Sequence, residues 1–240
     1  QVARAAQVAA TLTTTGSTEE KWIAFDTPLP GEIGPATNQT TSLIGLTSYR
    51  QDPRFQPFHG AGYAAVVLDT GIDLNHPFFG PDADGNGVAD RIVYSYDFAD
   101  NDSDASDRHG HGSNVSSIIG SSDATYPGVA RDVNLIQLKV FGDNSGGTSE
   151  ATLEKALQWV VQHVAQYKIV SVNMSLGGEN YQTAQTSHAL RDEFAALAQL
   201  GVAVVAAPGN SYYGNASTPG IGCPAADPDV ISVGAVYGAN

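Results

Sequence analysis

Asp69, His111 and Asn210 are residues whose types and settings could carry chemistry. Val66-Val67-Leu68 runs into Asp69-Thr70-Gly71, and a carboxylate at the end of a buried strand is costly to desolvate unless something pairs with it. His111 lies in Asp107-Arg108-His109-Gly110-His111-Gly112-Ser113-Asn114-Val115, ahead of a helical apolar face of Val115, Ile118 and Ile119. Its ring is therefore expected at a helix N-terminus, where the dipole favours the neutral imidazole that a general base needs. Asn210 follows Val204-Val205-Ala206-Ala207-Pro208-Gly209, and its amide could donate to an oxyanion. Taken singly, each has an ordinary reading: an Asp-Thr-Gly turn, a glycine-rich surface loop or weak metal site, and an Asn turn.

A second cluster has metal-ligand spacing. Asp82-Ala83-Asp84-Gly85-Asn86-Gly87-Val88-Ala89-Asp90 offers oxygens at Asp82, Asp84 and Asn86, then a glycine where a calcium loop turns sharply. The Val88 carbonyl and Asp90 are further ligands. Val93 stands at the twelfth position, where a bidentate acid is expected, so Asp97 or Asp100 would have to substitute. The rival reading is a solvated acidic loop. The run Asp100, Asp102, Asp104 and Asp107 reads as such a loop rather than as a second site. The single cysteine, Cys223, excludes an internal disulfide and a multi-cysteine metal cluster, and reads as structural. Asn38-Gln39-Thr40 and Asn215-Ala216-Ser217 match glycosylation acceptors, a pattern too frequent to decide anything.

The elements that must position these residues follow from the apolar pattern. Short Val- and Ile-rich runs at Ala64–Leu68, Asn134–Val140, Ile169–Met174, Val202–Ala207 and Val230–Val236 have the look of central parallel strands. Between them, Glu150–Gln166 carries Leu153, Leu157, Val160 and Val164 as an apolar stripe. Ser149 sits where an N-cap belongs. A second helix, about Ser187–Gln199, presents Leu190, Phe194 and Leu197 and stops at Gly201. The alternation predicts an α/β fold, a doubly wound and mainly parallel sheet with helices on both faces. Ligands of such sheets sit at the carboxyl ends of the strands, where the polar residues above fall. Residues 1–59 are weakly patterned and read as an extended N-terminal arm or propeptide remnant packing on a domain that begins at Gly60.

Composition sets the outer bounds. The 240 residues include 11 Lys+Arg against 25 Asp+Glu, a net charge of −14. A chain so negative is a poor partner for nucleic acid or an anionic membrane surface. No apolar run approaches the roughly 18 residues of a membrane helix. Charged residues are 15% of the chain against about 25% in typical domains, a composition common in exported proteins. The chain opens on Gln1, which reads as a processed form or a fragment.

Together the motifs resemble the subtilases, the subtilisin-like serine proteases. The family's Asp block is similar to Val67-Leu68-Asp69-Thr70-Gly71-Ile72-Asp73, with His76-Pro77 after it. Its His block is similar to Gly110-His111-Gly112-Ser113-Asn114-Val115, which selects His111 over His109. Gly128-Val129-Ala130 through Leu138-Lys139-Val140, Val172-Asn173-Met174-Ser175-Leu176-Gly177-Gly178, Val205-Ala206-Ala207-Pro208-Gly209-Asn210 and Val230-Ile231-Ser232-Val233-Gly234-Ala235-Val236 match further motifs in order. The resemblance runs from about Gly60 to the end. It implies a secreted endopeptidase with an Asp, His, Ser triad in that chain order. Asp69 would orient His111, and Asn210 would stabilise the oxyanion. Ser175, Leu176 and Gly177 would pair with a peptide or protein substrate, with Gly147 and Thr148 on its other side. Ala207 and Gly209 would line a small apolar pocket with a hydrophobic preference. Structural calcium is common in the family, although this loop does not map onto a family pattern.

One part of the pattern is missing. The family's nucleophile lies in Gly-Thr-Ser-x-Ala-x-Pro downstream of the oxyanion Asn, and no such motif occurs between Asn210 and Asn240. The expectation is an incomplete peptidase domain over 60–240, whose C-terminal remainder supplies the serine and without which the chain has little or no activity. Gly147-Thr148-Ser149-Glu150-Ala151 imitates the motif but precedes Asn210, with Leu153 in place of Pro. Ser113 and Asn114 stand where the family usually has Thr and His. Pro208 stands where a small residue is usual, which removes a backbone donor beside the oxyanion position. Two rival readings remain at this point: a non-catalytic calcium- or peptide-binding module on the same fold, and hydrolysis through Ser149.

Overall fold

The computed structural model describes residues 22–24, 41–143, 145–210 and 212–235. In chain order the described elements are β1 (Trp22–Ala24), α1 (Leu46–Gln51), β2 (Ala64–Asp69), β3 (Ile92–Asp97), α2 (His111–Gly120), β4 (Asn134–Lys139), β5 (Gly147–Ser149), α3 (Glu150–Tyr167), β6 (Ile169–Met174), β7 (Gly178–Tyr181), α4 (Arg191–Leu200), β8 (Ala203–Ala206), β9 (Ile221–Cys223) and β10 (Val230–Ser232).

Six strands form one sheet in the order β10-β8-β6-β2-β4-β3, and every pairing in it is parallel. The fold is therefore α/β, with α3 and α4 packed on one face and α2 on the other. Alternation along β2 shows how. Ala64, Val66 and Leu68 join Leu153, Leu157, Val160 and Phe194 in the larger core, while Ala65 joins Leu135 and Ile92 in a second cluster with Ile119 against it. Each large aliphatic side chain so buried contributes about 1.5–3 kcal/mol.

The strands match the apolar runs to within a residue or two, except that β10 ends at Ser232 and Val236 lies outside the described residues. The stripe Leu153, Leu157, Val160 and Val164 is buried on α3, and Ser149 is its N-cap, accepting from the Thr152 N–H at 3.2 Å. Gly201 closes α4 with φ 77°. That helix begins at Arg191 rather than Ser187, because the His188 ring is tied to Asp227, Nε2 to Oδ2 at 2.8 Å, and residues 188–190 form a turn. β3 is absent from the sequence reading. Its four central residues are only half-buried at the sheet edge, so it shows neither a continuous apolar run nor clean alternation.

The face of α2 is a correction. Val115 and Ile119 are half-buried and Ile118 is exposed; the buried residues are Gly112, Ser116 and Gly120. Small side chains at this spacing let the helix lie close to the sheet. A β-carbon at Gly120 would meet Leu135 at 3.1 Å, and Ser116 Oγ donates to Gln137 Oε1 at 3.3 Å.

Part of the segment before Gly60 is helical rather than extended. Residues 1–21 and 25–40, with Asn38, lie outside the described residues. Leu46–Gln51 is helical with Leu46 buried, and Arg50 donates to the carbonyl of Gly128. Trp22–Ala24 runs antiparallel to β5, pairing Trp22 with Ser149, Ile23 with Thr148 and Ala24 with Gly147.

Candidate active site

The carboxyl edge of the sheet gathers the polar residues. Asp69 is the last residue of β2 and is fully buried. His111 is the first residue of α2, half-buried, after the left-handed Gly110 (φ 93°). Across 42 positions of sequence, His111 Nδ1 and Asp69 Oδ1 lie 2.7 Å apart. Asp69 Oδ1 also accepts the Thr70 N–H at 2.7 Å, while Oδ2 is buried with no hydrogen-bond partner among the described residues. The carboxylate is acceptor-only when ionised, so the proton of this bond belongs on Nδ1. That leaves Nε2 as the basic nitrogen. The His109 ring lies 6.3 Å from that of His111, and it is His111 that meets Asp69.

Asp107 contradicts its reading as part of a solvated run. Asp102 and Asp104 are exposed, but Asp107 is half-buried and collects five donors. Oδ1 accepts from Thr70 Oγ1 at 2.9 Å and from the N–H groups of His109 and Gly110 at 2.9 and 2.8 Å. Oδ2 accepts from the N–H and Oγ of Ser113 at 2.9 and 2.7 Å. Burial alone would push this carboxyl up. The Ser113 hydroxyl and the backbone donors of Gly110, Ser113 and His109 outweigh it and hold the group below the usual carboxylate range. An acid four residues before the histidine that opens a helix was the available sequence signal.

The other expected residues leave the same edge. β6 ends at Met174 and continues into Ser175, Leu176 and Gly177, with Leu176 and Gly177 buried. A β-carbon at Gly177 would lie 3.3 Å from the Cys223 carbonyl oxygen and 3.4 Å from that of Ala207, so these three backbones are in contact. β8 ends at Ala206, and Ala207 N–H donates to the Met174 carbonyl at 3.3 Å. Gly209 (φ 103°) then turns the chain into the exposed Asn210. Because β2, β6 and β8 are parallel neighbours, Asp69, Ser175 and Asn210 share one edge. Gly147 and Thr148 are paired with Ala24 and Ile23. Ser149 Oγ lies 3.0 Å from Thr152 Oγ1 and caps α3.

The acidic loop lies at the opposite, amino edge, leading into β3. Carboxylate oxygens of Asp82, Asp84 and Asp90 lie within 4.8 Å of one another. Asp82 accepts the N–H groups of Asn86 and Gly87, and Asn86 Oδ1 accepts that of Val88 at 2.8 Å. Asp97 does not join them. It is buried at the far end of β3, where its Oδ2 lies 3.0 Å from Lys139 Nζ.

A model described as the Subtilase family matches residues 60–240. Alkaline serine exoprotease A of Vibrio alginolyticus is 36% identical over 187 residues, covering 75% of this chain and 31% of its own length. The major intracellular serine protease of Bacillus subtilis (strain 168) is 31% identical over 183 residues, 74% of this chain and 52% of its own. Among solved structures, a cold adapted subtilisin-like serine proteinase superposes with a TM-score of 0.56 at 33% identity, covering 75% of this chain and 57% of that one. The chain thus spans about a third to a half of the length of these curated relatives.

Proposed function

The chain belongs to the subtilase family, and from that premise we propose that Asp69 and His111 are two members of a serine-protease triad, with Asn210 as the oxyanion donor. The observation that carries this is the 2.7 Å bond between His111 Nδ1 and the buried Asp69. It fixes the tautomer in which Nε2 accepts a proton. On this reading the nucleophilic serine lies outside these 240 residues, and the two relatives are about 1.4 and about 2.4 times as long.

His111 Nε2 takes the serine proton as the oxygen attacks a peptide carbonyl. Asp69 stabilises the imidazolium that forms. The Asn210 amide donates to the oxygen that becomes negative, an interaction stronger in the tetrahedral state than in the substrate. His111 then gives its proton to the leaving amine, and water resolves the acyl-enzyme by the same route. A substrate strand lies between Ser175–Gly177 and Gly147–Thr148, the latter edge being paired with Trp22–Ala24 in this structure. Ala207 and Gly209 flank the residue before the cut. The loop of Asp82, Asp84, Asn86, Val88 and Asp90 holds structural calcium, and the enzyme acts outside the cell. Among the described residues no helix is long and apolar enough to cross a membrane.

The test is to express the chain with its downstream coding sequence and assay peptide hydrolysis and fluorophosphonate labelling. Both should be present, and both should be lost in His111→Ala. A folded product that neither labels nor cleaves would leave a peptide- or calcium-binding module instead.

A further inference from the structure

The bond between Asp69 and His111 joins two elements, the end of β2 and the start of α2, so its length depends on what fixes one against the other. The N-cap of α2 is Gly110, whose lack of a side chain leaves the first turn without a cap of its own. The missing acceptors come from elsewhere. Gly112 N–H donates to Thr70 Oγ1 at 2.9 Å, and Ser113 N–H donates to Asp107 Oδ2.

Two hydroxyls brace the junction reciprocally. Thr70, on the β2 side, accepts from Gly112 of the helix. Ser113, on the helix, accepts the Asp73 N–H from the strand's own continuation at 2.9 Å. Each hydroxyl can accept in this direction because its hydrogen is committed to Asp107, an acceptor-only group when ionised. Thr70 is covalently next to Asp69, and Gly112 is next to His111. The brace therefore spans the same junction as the catalytic bond, one residue further along each chain.

We propose that Asp107, acting through Thr70 and Ser113, is the positioning residue that sets the Asp69–His111 hydrogen bond, an inference that rests on His111 being the general base. Asp107→Asn would turn an NH2 toward backbone N–H groups, donor against donor, and Thr70→Val would delete one brace at constant shape. Thr70→Ser keeps the hydroxyl and serves as the rescue.

The experiment measures, on the whole protein, the far-downfield proton resonance of His111 Nδ1–H and the pH profile of kcat/KM. Asp107→Asn and Thr70→Val should broaden or lose the resonance and lower the His111 midpoint. They should reduce kcat about 10–100-fold with KM little changed, since misplacement near 1 Å costs about 10². Thr70→Ser should restore the resonance and most of kcat. Asp69→Asn is the control that separates the two readings. If it leaves the resonance in place, the pairing of Asp69 with His111 fails. If it removes the resonance while Asp107→Asn and Thr70→Val leave resonance, midpoint and kcat at wild-type values, the pairing stands and the positioning role is overturned. Loss of fold in Thr70→Val would also overturn it, because a general packing role would then account for every effect.

Discussion

A β-carbon at Gly112 would stand 2.2 Å from the carbonyl oxygen of Gly71. The contact joins the residue after His111 to the residue two past Asp69, and backbone on both sides leaves nothing flexible to yield. Gly112→Ala must therefore move the start of α2 away from β2 by an ångström or more, stretching the 2.7 Å bond of His111. The expected outcome is a kcat loss of about 10²-fold or more in a protein that keeps its secondary structure, measured by steady-state kinetics and circular dichroism together. Wild-type kcat in a folded Gly112→Ala protein would show that the helix position is not limiting.

Asn210 tests a different atom of the same mechanism. As the proposed oxyanion donor its side chain would touch the substrate oxygen only as charge develops, so Asn210→Ala should lower kcat by about 10²–10³ and leave KM nearly unchanged. A rise in KM at constant kcat would mean that Asn210 binds the ground state and is not the oxyanion donor.

What was legible in the sequence, and what was not, divides along a physical line. β2 and α3 show themselves because Val66, Val67 and Leu68, and the Leu153–Val164 stripe, are large, apolar and buried to the last side chain. The buried face of α2 is Gly112, Ser116 and Gly120, residues that carry no hydrophobic signal because close approach, not apolar area, is their contribution. β3 is hidden by an edge position that lets tyrosine and serine sit half-exposed. Asp107 is hidden by company: charge alone does not distinguish it from Asp102 and Asp104, and only the fold brings Thr70 and Ser113 to it.

Ser149 caps α3, and its surroundings predict a purely structural loss. Its hydroxyl accepts from Thr152 N–H at the start of α3, so Ser149→Ala should cost about 1 kcal/mol of stability. Fluorophosphonate labelling of the whole protein should be unchanged. Abolished labelling in a folded Ser149→Ala protein would restore it as the nucleophile.

The acidic loop makes a prediction about stability. With three carboxylates within 4.8 Å, a bound cation would offset their mutual repulsion, and a ligand held at 100 times its Kd adds about 2.7 kcal/mol. Chelation should then lower the melting temperature by several degrees, at about 2–4 °C per kcal/mol. Asp84→Ala should start lower and respond no further. A melting curve indifferent to chelator would remove calcium from the loop.

The last prediction concerns Glu193, which faces α3 from α4 and is fully buried. Its Oε1 accepts from Gln158 Nε2 at 3.1 Å, and its Oε2 has no hydrogen-bond partner among the described residues. Burial, reinforced by the neighbouring Asp192 and only partly opposed by Gln158, pushes the carboxyl up from 4.5 to about 8. The sign follows from linkage. Between those two values the unfolded chain has lost the proton while the folded chain still holds it, so stability falls as pH rises through this window and levels off above it. Glu193→Gln keeps the shape and the bond to Gln158 but cannot ionise. Calorimetry at about pH 4 and about pH 9 should give similar melting temperatures for the two proteins at the acid end and a higher one for the variant at the alkaline end. Parallel profiles would mean that water reaches Glu193 between the helices and that its carboxyl titrates as an ordinary surface acid.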